Sequence, residues 1–172
     1  MLGYIVSEGR GTADRLIREV AERLRAAGVP LAGAVQVNVD READRKCHMD
    51  LHILAGDAVV RISQDLGAQS RGCRLDPDGL ERAVGMAGAA LAAGAEVLIV
   101  NKFGKQEAEG RGFRPLIGEA LAAGVPVIAA VGAGNLAAFL DFAEDMAEPL
   151  PADAAATAAW ALARRGALAP GA

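Results

Sequence analysis

One phrase occurs three times in this chain and constrains its fold more than any other feature: Leu24-Arg-Ala-Ala-Gly-Val-Pro-Leu, Leu91-Ala-Ala-Gly-Ala-Glu-Val-Leu and Leu121-Ala-Ala-Gly-Val-Pro-Val-Ile. Gly28, Gly94 and Gly124 stand where a left-handed residue stops a helix, and Pro30 and Pro126 block its continuation. The runs that follow, Leu31 to Val39, Glu96 to Val100 and Pro126 to Val131, are nearly continuously apolar, the mark of strands covered on both faces. A helix end running straight into a buried strand, three times over, predicts a parallel sheet with crossover helices.

The rest of the chain fits that scheme. An opening strand, Leu2 to Val6, precedes a helix over Thr12 to Ala27, and further helices are expected near Pro77 to Ala93, Pro115 to Ala123, Leu136 to Ala143 and Ala152 to Arg165. One segment breaks the alternation. Cys47 to Leu54 and Ala58 to Gln64 alternate with period two across Ala-Gly-Asp, which predicts a β-hairpin inserted after the second strand. The expected fold is α/β: a three-layer sandwich with a mainly parallel sheet, formed by a single domain over residues 1–166, with a frayed tail over 167–172. Right-handed crossovers then bring the β-to-α loops to one sheet edge, where ligands bind in open α/β folds.

With 172 residues, 52% hydrophobic but only 3% aromatic, the core must be built from Ala, Val, Leu and Ile. The net charge of −4 argues against nucleic acid as a partner, because phosphate binding needs a basic face. No apolar run approaches the ~20 residues of a bilayer span, so no membrane partner is expected. Cys47 and Cys73 lie far apart and no charged-then-apolar leader precedes the first strand, so a cytoplasmic location is expected.

Four stretches carry the candidate chemistry. Ser7-Glu-Gly-Arg-Gly-Thr12 lies between a buried strand and an amphipathic helix, where nucleotide-binding folds cradle phosphate. Gly9 and Gly11 let backbone N–H groups converge on an anion beside Arg10 and Thr12, yet the lysine of the G-x-x-x-x-G-K-[ST] pattern is absent. A plain glycine turn is the alternative. The long connection after the strand ending at Val100 carries Asn101, Lys102, Gly104, Lys105, Arg111 and Arg114 with Glu107 and Glu109, more residues than a simple crossover requires. A solvated charged loop is its alternative. The stretch Asp65 to Leu75, read as a mobile or ligand-ordered loop, is expected over the same edge, with Gln64, Arg71 and Arg74 beside the two anion loops; a solvated loop is the alternative. Finally, His48, Asp50 and His52 share one strand face at period-two spacing, a candidate metal triad or simply the wet side of a hairpin. Cys73 reads as a packed thiol, and the Gly132 to Asn135 turn as a pocket wall.

The phrases Ile62-Ser-Gln-Asp-Leu-Gly, Gly72-Cys-Arg-Leu-Asp76 and Asn101 to Arg114 together resemble the hallmark stretches of a bacterial family, domain of unknown function 2478, over almost the whole chain. The resemblance implies a fold similar to P-loop nucleoside triphosphatases, and a setting beside molybdenum-transport and molybdenum-enzyme genes. Asn101 to Glu107 also resembles the Asp-Glu-Ile-Gly-Lys-Met-Glu signature of a small nucleoside-triphosphatase family. Asn101 stands there in place of the magnesium-positioning Asp, and Glu107 matches the last glutamate.

Three functions follow as expectations. The first is an oxyanion-binding protein, with molybdate or tungstate as ligand, that senses, stores or delivers the anion without catalysis. The second is a divergent nucleoside triphosphatase or nucleotide-binding protein, using magnesium and Glu107 to orient water. The third is a non-catalytic scaffold that forms a homo-oligomer through an exposed apolar stripe at Ala158, Ala159 and Leu162.

Overall fold

The computed structural model describes residues 1–9, 11–39, 47–65 and 74–166. Among the described residues its sheet has seven strands in the order β4-β3-β2-β5-β6-β1-β7. These are β1 (Leu2–Ser7), β2 (Leu31–Val39), β3 (His48–Ile53), β4 (Val59–Arg61), β5 (Val97–Phe103), β6 (Val127–Gly132) and β7 (Ala147–Pro149). β1 pairs in parallel with β6 and β7, and β5 in parallel with β2 and β6. The β3–β4 hairpin extends the sheet antiparallel beyond β2, as its alternating pattern predicts.

The helices are α1 (Thr12–Ala26), α2 (Pro77–Ala92), α3 (Lys105–Ala108), α4 (Arg114–Ala122), α5 (Leu136–Ala143) and α6 (Ala154–Arg164). The route from β1 to β2 runs along the sheet in the opposite sense to the routes from β2 to β5, β5 to β6 and β6 to β7. With right-handed crossovers, opposite senses put the helices on opposite faces. Accordingly α1 and α6 cover one face, through Ile17, Val20, Leu24, Ala158 and Ala161 against Ile5, Ile99 and Ile128. Helices α2, α4 and α5 cover the other, through Leu80, Ala83, Leu116, Ile117 and Phe139 against Leu98, Val100 and Val127.

Local sequence sets the helix ends. Gly28, Gly94 and Gly124 have φ of 74°, 100° and 74°, the left-handed values their position in the repeated phrase requires. Asp76 caps α2 by accepting the Asp78 backbone N–H at 3.1 Å, with Pro77 at the first helical position. Asp153 caps α6 in the same way, through Ala156 at 2.7 Å.

Three expectations need correction. The long connection after β5 is not one loop: β5 continues through Phe103, and α3 forms a single turn inside the connection. The edge strand β7 has no counterpart in the sequence reading, because three residues ending in proline carry no strand signal. It forms where β1 offers an open edge, and Trp160 of α6 locks it by donating its indole N–H to Glu148. Lastly, Ala158 is 5% exposed and packs toward α1, so no exposed stripe runs through it along α6.

Candidate functional site

At the carboxyl edge the sheet opens between β2 and β5. Their parallel pairing ends at Ala34 and Val100, and the register between β5 and β6 shifts between Val100 and Phe103. Beyond that point the Asn101 side chain, in a residue 4% exposed, replaces the ladder: its Oδ1 accepts the Gln36 backbone N–H at 2.9 Å. Its Nδ2 donates to Asp14 Oδ1 at 2.8 Å in the first turn of α1. The other Asp14 oxygen accepts Asn38 Nδ2 at 3.1 Å, and Gln36 Nε2 donates to Asn38 Oδ1 at 2.9 Å. The first turn of α1, the end of β5 and the end of β2 are thus joined by one polar network.

The aromatic residues fix β5 beyond its irregularity. Phe103 meets Phe139 edge-on at 5.1 Å and stacks on Phe142 at 5.9 Å, while Tyr4 packs on the far side of Phe139. Arg114 lies over the Phe142 ring at 4.7 Å and donates to the Glu107 and Ala108 carbonyls. This cation therefore anchors the connection from the inside.

Glu107 holds the same connection together. It is 3% exposed, and its two carboxylate oxygens accept the Gly104 N–H at 2.9 Å and the Phe113 N–H at 3.0 Å. Burial pushes its carboxyl above the ordinary glutamate range, opposed by those backbone hydrogen bonds. Gly112 makes the arrangement possible: its φ is 59°, and a Cβ there would stand 2.1 Å from Glu107 Oε1. With both oxygens turned into the backbone, Glu107 is a structural pin rather than a group aimed at water.

The remaining predicted residues fall into distinct groups. Lys102 and Lys105 are exposed at the mouth of the cleft between β2 and β5; Lys105 Nζ lies 3.8 Å from Glu109, while Lys102 has no hydrogen-bond or ion-pair partner among the described residues. Arg111 is turned to Glu109 and Gln106. Gln64 donates to the Leu75 carbonyl at 2.9 Å, and Arg74 donates to the Cys47 carbonyl at 3.0 Å, so both tie the segment before α2 to the hairpin. Gly9 and Gly11 have φ of 91° and 77°, and α1 starts at Gly11 without a side-chain cap. If Gly11 is the last glycine of the phosphate-loop pattern, exposed Thr12 takes the place of its lysine and Ala13 that of its hydroxyl residue. Arg10, Arg71 and Cys73 lie outside the described residues.

On the hairpin, Asp50 is 7% exposed and receives a two-pronged hydrogen bond from Arg61, at 2.8 and 3.1 Å, which holds its carboxyl below the ordinary aspartate range. That pairing claims the central member of the proposed triad. Among the described residues no group of three His, Cys, Asp or Glu side chains could hold a metal.

Sequence reasoning missed Asp14, Gln36 and Asn38. Asp14 reads as an ordinary acidic residue of a first helical turn, and only its meeting with Asn101 distinguishes it. Sequence reasoning also missed the cleft itself, a cavity of about 90 Å³ opening beside Asn101. Apolar side chains of β2, the hairpin and α2 line it, with Lys102, Lys105 and Gln36 among the polar residues. Among the described residues no helix is long and apolar enough to cross a membrane.

Comparison with known proteins places this geometry. The structure is similar to that of THEP1 from the hyperthermophile Aquifex aeolicus, with a TM-score of 0.57, 17% identity, and 89% of this chain and 90% of that chain covered. The two share a three-layer α/β architecture with a mainly parallel sheet. In sequence, the chain is 33% identical over 147 residues to "Molybdenum import ATP-binding protein ModC 2" of Bradyrhizobium diazoefficiens. The match covers 86% of this chain but only 16% of that protein. Residues 2–160 match a single family model, and the chain belongs to that family, described as protein of unknown function (DUF2478).

Proposed function

We propose that this chain binds a small oxyanion, molybdate or tungstate, at the mouth of the β2–β5 cleft and hydrolyses nothing. The observation that carries this reading is the pair Lys102 and Lys105 at the opening, beside the amide groups of Gln36 and Asn101. Two ammonium groups, with the second hydrogens of the Gln36 and Asn101 side-chain amides, suit a doubly charged tetrahedral ion without any metal. Magnesium-dependent hydrolysis is disfavoured by three departures: no phosphate-loop lysine, Asn101 in place of a carboxylate, and Glu107 consumed by the loop backbone. The molybdenum identity is supported by the sequence relative, a molybdenum import ATP-binding protein by its title. In this reading the protein senses, stores or delivers the anion in the cytoplasm.

A second reading, a nucleotide-binding protein or divergent nucleoside triphosphatase, is favoured by the P-loop-like fold and by the same relative's title. Thermal-shift measurement against molybdate, tungstate, sulfate, phosphate, ATP and GTP, with and without magnesium, separates the two. A ligand at about 100 times its Kd adds roughly 2.7 kcal/mol of stability. The oxyanion reading expects a shift with molybdate or tungstate that is lost in the Lys102→Ala, Lys105→Ala double variant. Magnesium-dependent stabilisation by a nucleotide, with phosphate released, would select the second reading. Silence toward every ligand would overturn both.

A further inference from the structure

The cleft itself is chemically unlike its mouth. Behind Lys102 and Lys105 its walls include the apolar Leu51, Ile62, Leu75, Leu80 and Phe113 beside the polar Gln36, Asn101, Gln106 and Glu107, and Glu107 has turned both oxygens into the Gly104 and Phe113 amides. A bare tetrahedral oxyanion has no use for such walls. An ion that small and that strongly hydrated stays at the mouth, leaving apolar surface open to water beside it. A void left by imperfect packing in a small-residue core would be closed on all sides, whereas this one opens at the strand edge where α/β folds take ligands. Its apolar side chains belong to the α2 face of the sheet, and Asn101, which also lines it, ties it through Asp14 to the first turn of α1. Among the described residues, those of the glycine turn after β1 contribute nothing to its lining.

We propose that the β2–β5 cleft takes an aromatic or heteroaromatic anion: a flat apolar ring between Leu75, Ile62 and Leu80, with its phosphate, sulfonate or carboxylate group on Lys102 and Lys105. The size sets the limit. An apolar cavity of ~150 Å³ holds one benzene ring, and this one measures about 90 Å³. A single ring thus enters partway and leaves its anionic substituent at the opening, and a whole nucleotide is not enclosed. The inference rests on the anion-binding reading for its charged end but adds a second, apolar determinant that molybdate lacks.

Isothermal titration calorimetry with phenyl phosphate, inorganic phosphate and molybdate tests it. Phenyl phosphate is expected to bind about tenfold more tightly than inorganic phosphate, the ~1.4 kcal/mol that roughly 55 Å² of newly buried ring provides at ~25 cal/mol per Å². Leu75 is only half buried, so Leu75→Trp fills the cleft at modest risk to folding; it should erase the tenfold preference and leave phosphate binding unchanged. Leu75→Gln, close in size but polar, should weaken the preference in the same direction. Equal affinity for the two phosphates, or a preference that survives both substitutions, overturns the cleft proposal. Molybdate binding without any ring preference would leave the oxyanion reading standing and sink this one. Ring-dependent binding of phenyl phosphate with no response to molybdate would do the reverse.

Discussion

Asn101 and Asp14, 87 positions apart in the chain, share a 2.8 Å hydrogen bond that ties β5 to the first turn of α1. The one amide satisfies a carboxylate of α1 and a backbone N–H of β2 together. The amide orientation is fixed by that pairing, since only its oxygen can accept from Gln36 and only its nitrogen can donate to Asp14.

Asn101→Ala leaves the half-buried Gln36 N–H without its acceptor and strips one donor from Asp14, a loss of about 1–2 kcal/mol. Asn101→Asp brings two carboxylates together, which destabilises the fold at neutral pH by like-charge repulsion. Its expected signature is recovery of the melting temperature on adding millimolar magnesium or manganese, absent in the parent chain. If the divalent ion shifts both proteins equally, the two loops do not meet as described.

Gly112→Ala forces a side chain into the left-handed region and against Glu107 Oε1. A cost of about 1–3 kcal/mol is expected, read as a fall in the denaturant midpoint. The variant should also lose anion binding, since Lys102 and Lys105 lie just before and in the segment that Glu107 pins. Unchanged stability would show that the Glu107 contact is not made in solution.

The buried Glu107 gives stability a pH dependence of unusual sign for a carboxylate. Its carboxyl is raised by burial, so the folded state holds the proton more tightly than the unfolded chain. Its contribution is full below the ordinary glutamate pKa and is lost as pH rises through the raised value. Relative to Glu107→Gln, which cannot ionise, the parent chain should therefore lose melting temperature as pH climbs through that window. A difference that is flat or that grows with pH would contradict the assignment.

Asp50 behaves oppositely. The hydrogen bonds from Arg61 lower its carboxyl, so its contribution is present above the ordinary aspartate pKa and disappears as pH falls through the lowered value. Arg61→Ala should lower the melting temperature at neutral pH, and the gap to the parent should narrow on the acid side. A gap of constant size from neutral to strongly acid conditions would show that the pair contributes through packing alone.

Much of the fold was legible in the chain because the relevant signals are local. A glycine at a helix end followed by an apolar run needs no partner to be read, and the three repeats of that phrase placed β2, β5 and β6 with the helices before them. The alternation from Cys47 to Gln64 likewise marked the hairpin, and the family resemblance matched the architecture. The importance of Asn101 to Arg114 was visible too, as a charged stretch longer than a crossover requires.

What the chain alone did not reveal depends on which side chains meet across the sheet edge. β7 forms only because β1 presents unpaired backbone groups, and α6 buries Ala158 only because α1 lies beside it. Glu107 looked like a group for orienting water until its carboxylate met two amides over Gly112, and Asp14 carried no signal until it met Asn101. Period and composition report one segment's preference for burial. The cleft beside Lys102 arises where two parallel strands stop pairing, a consequence of packing that no single segment encodes.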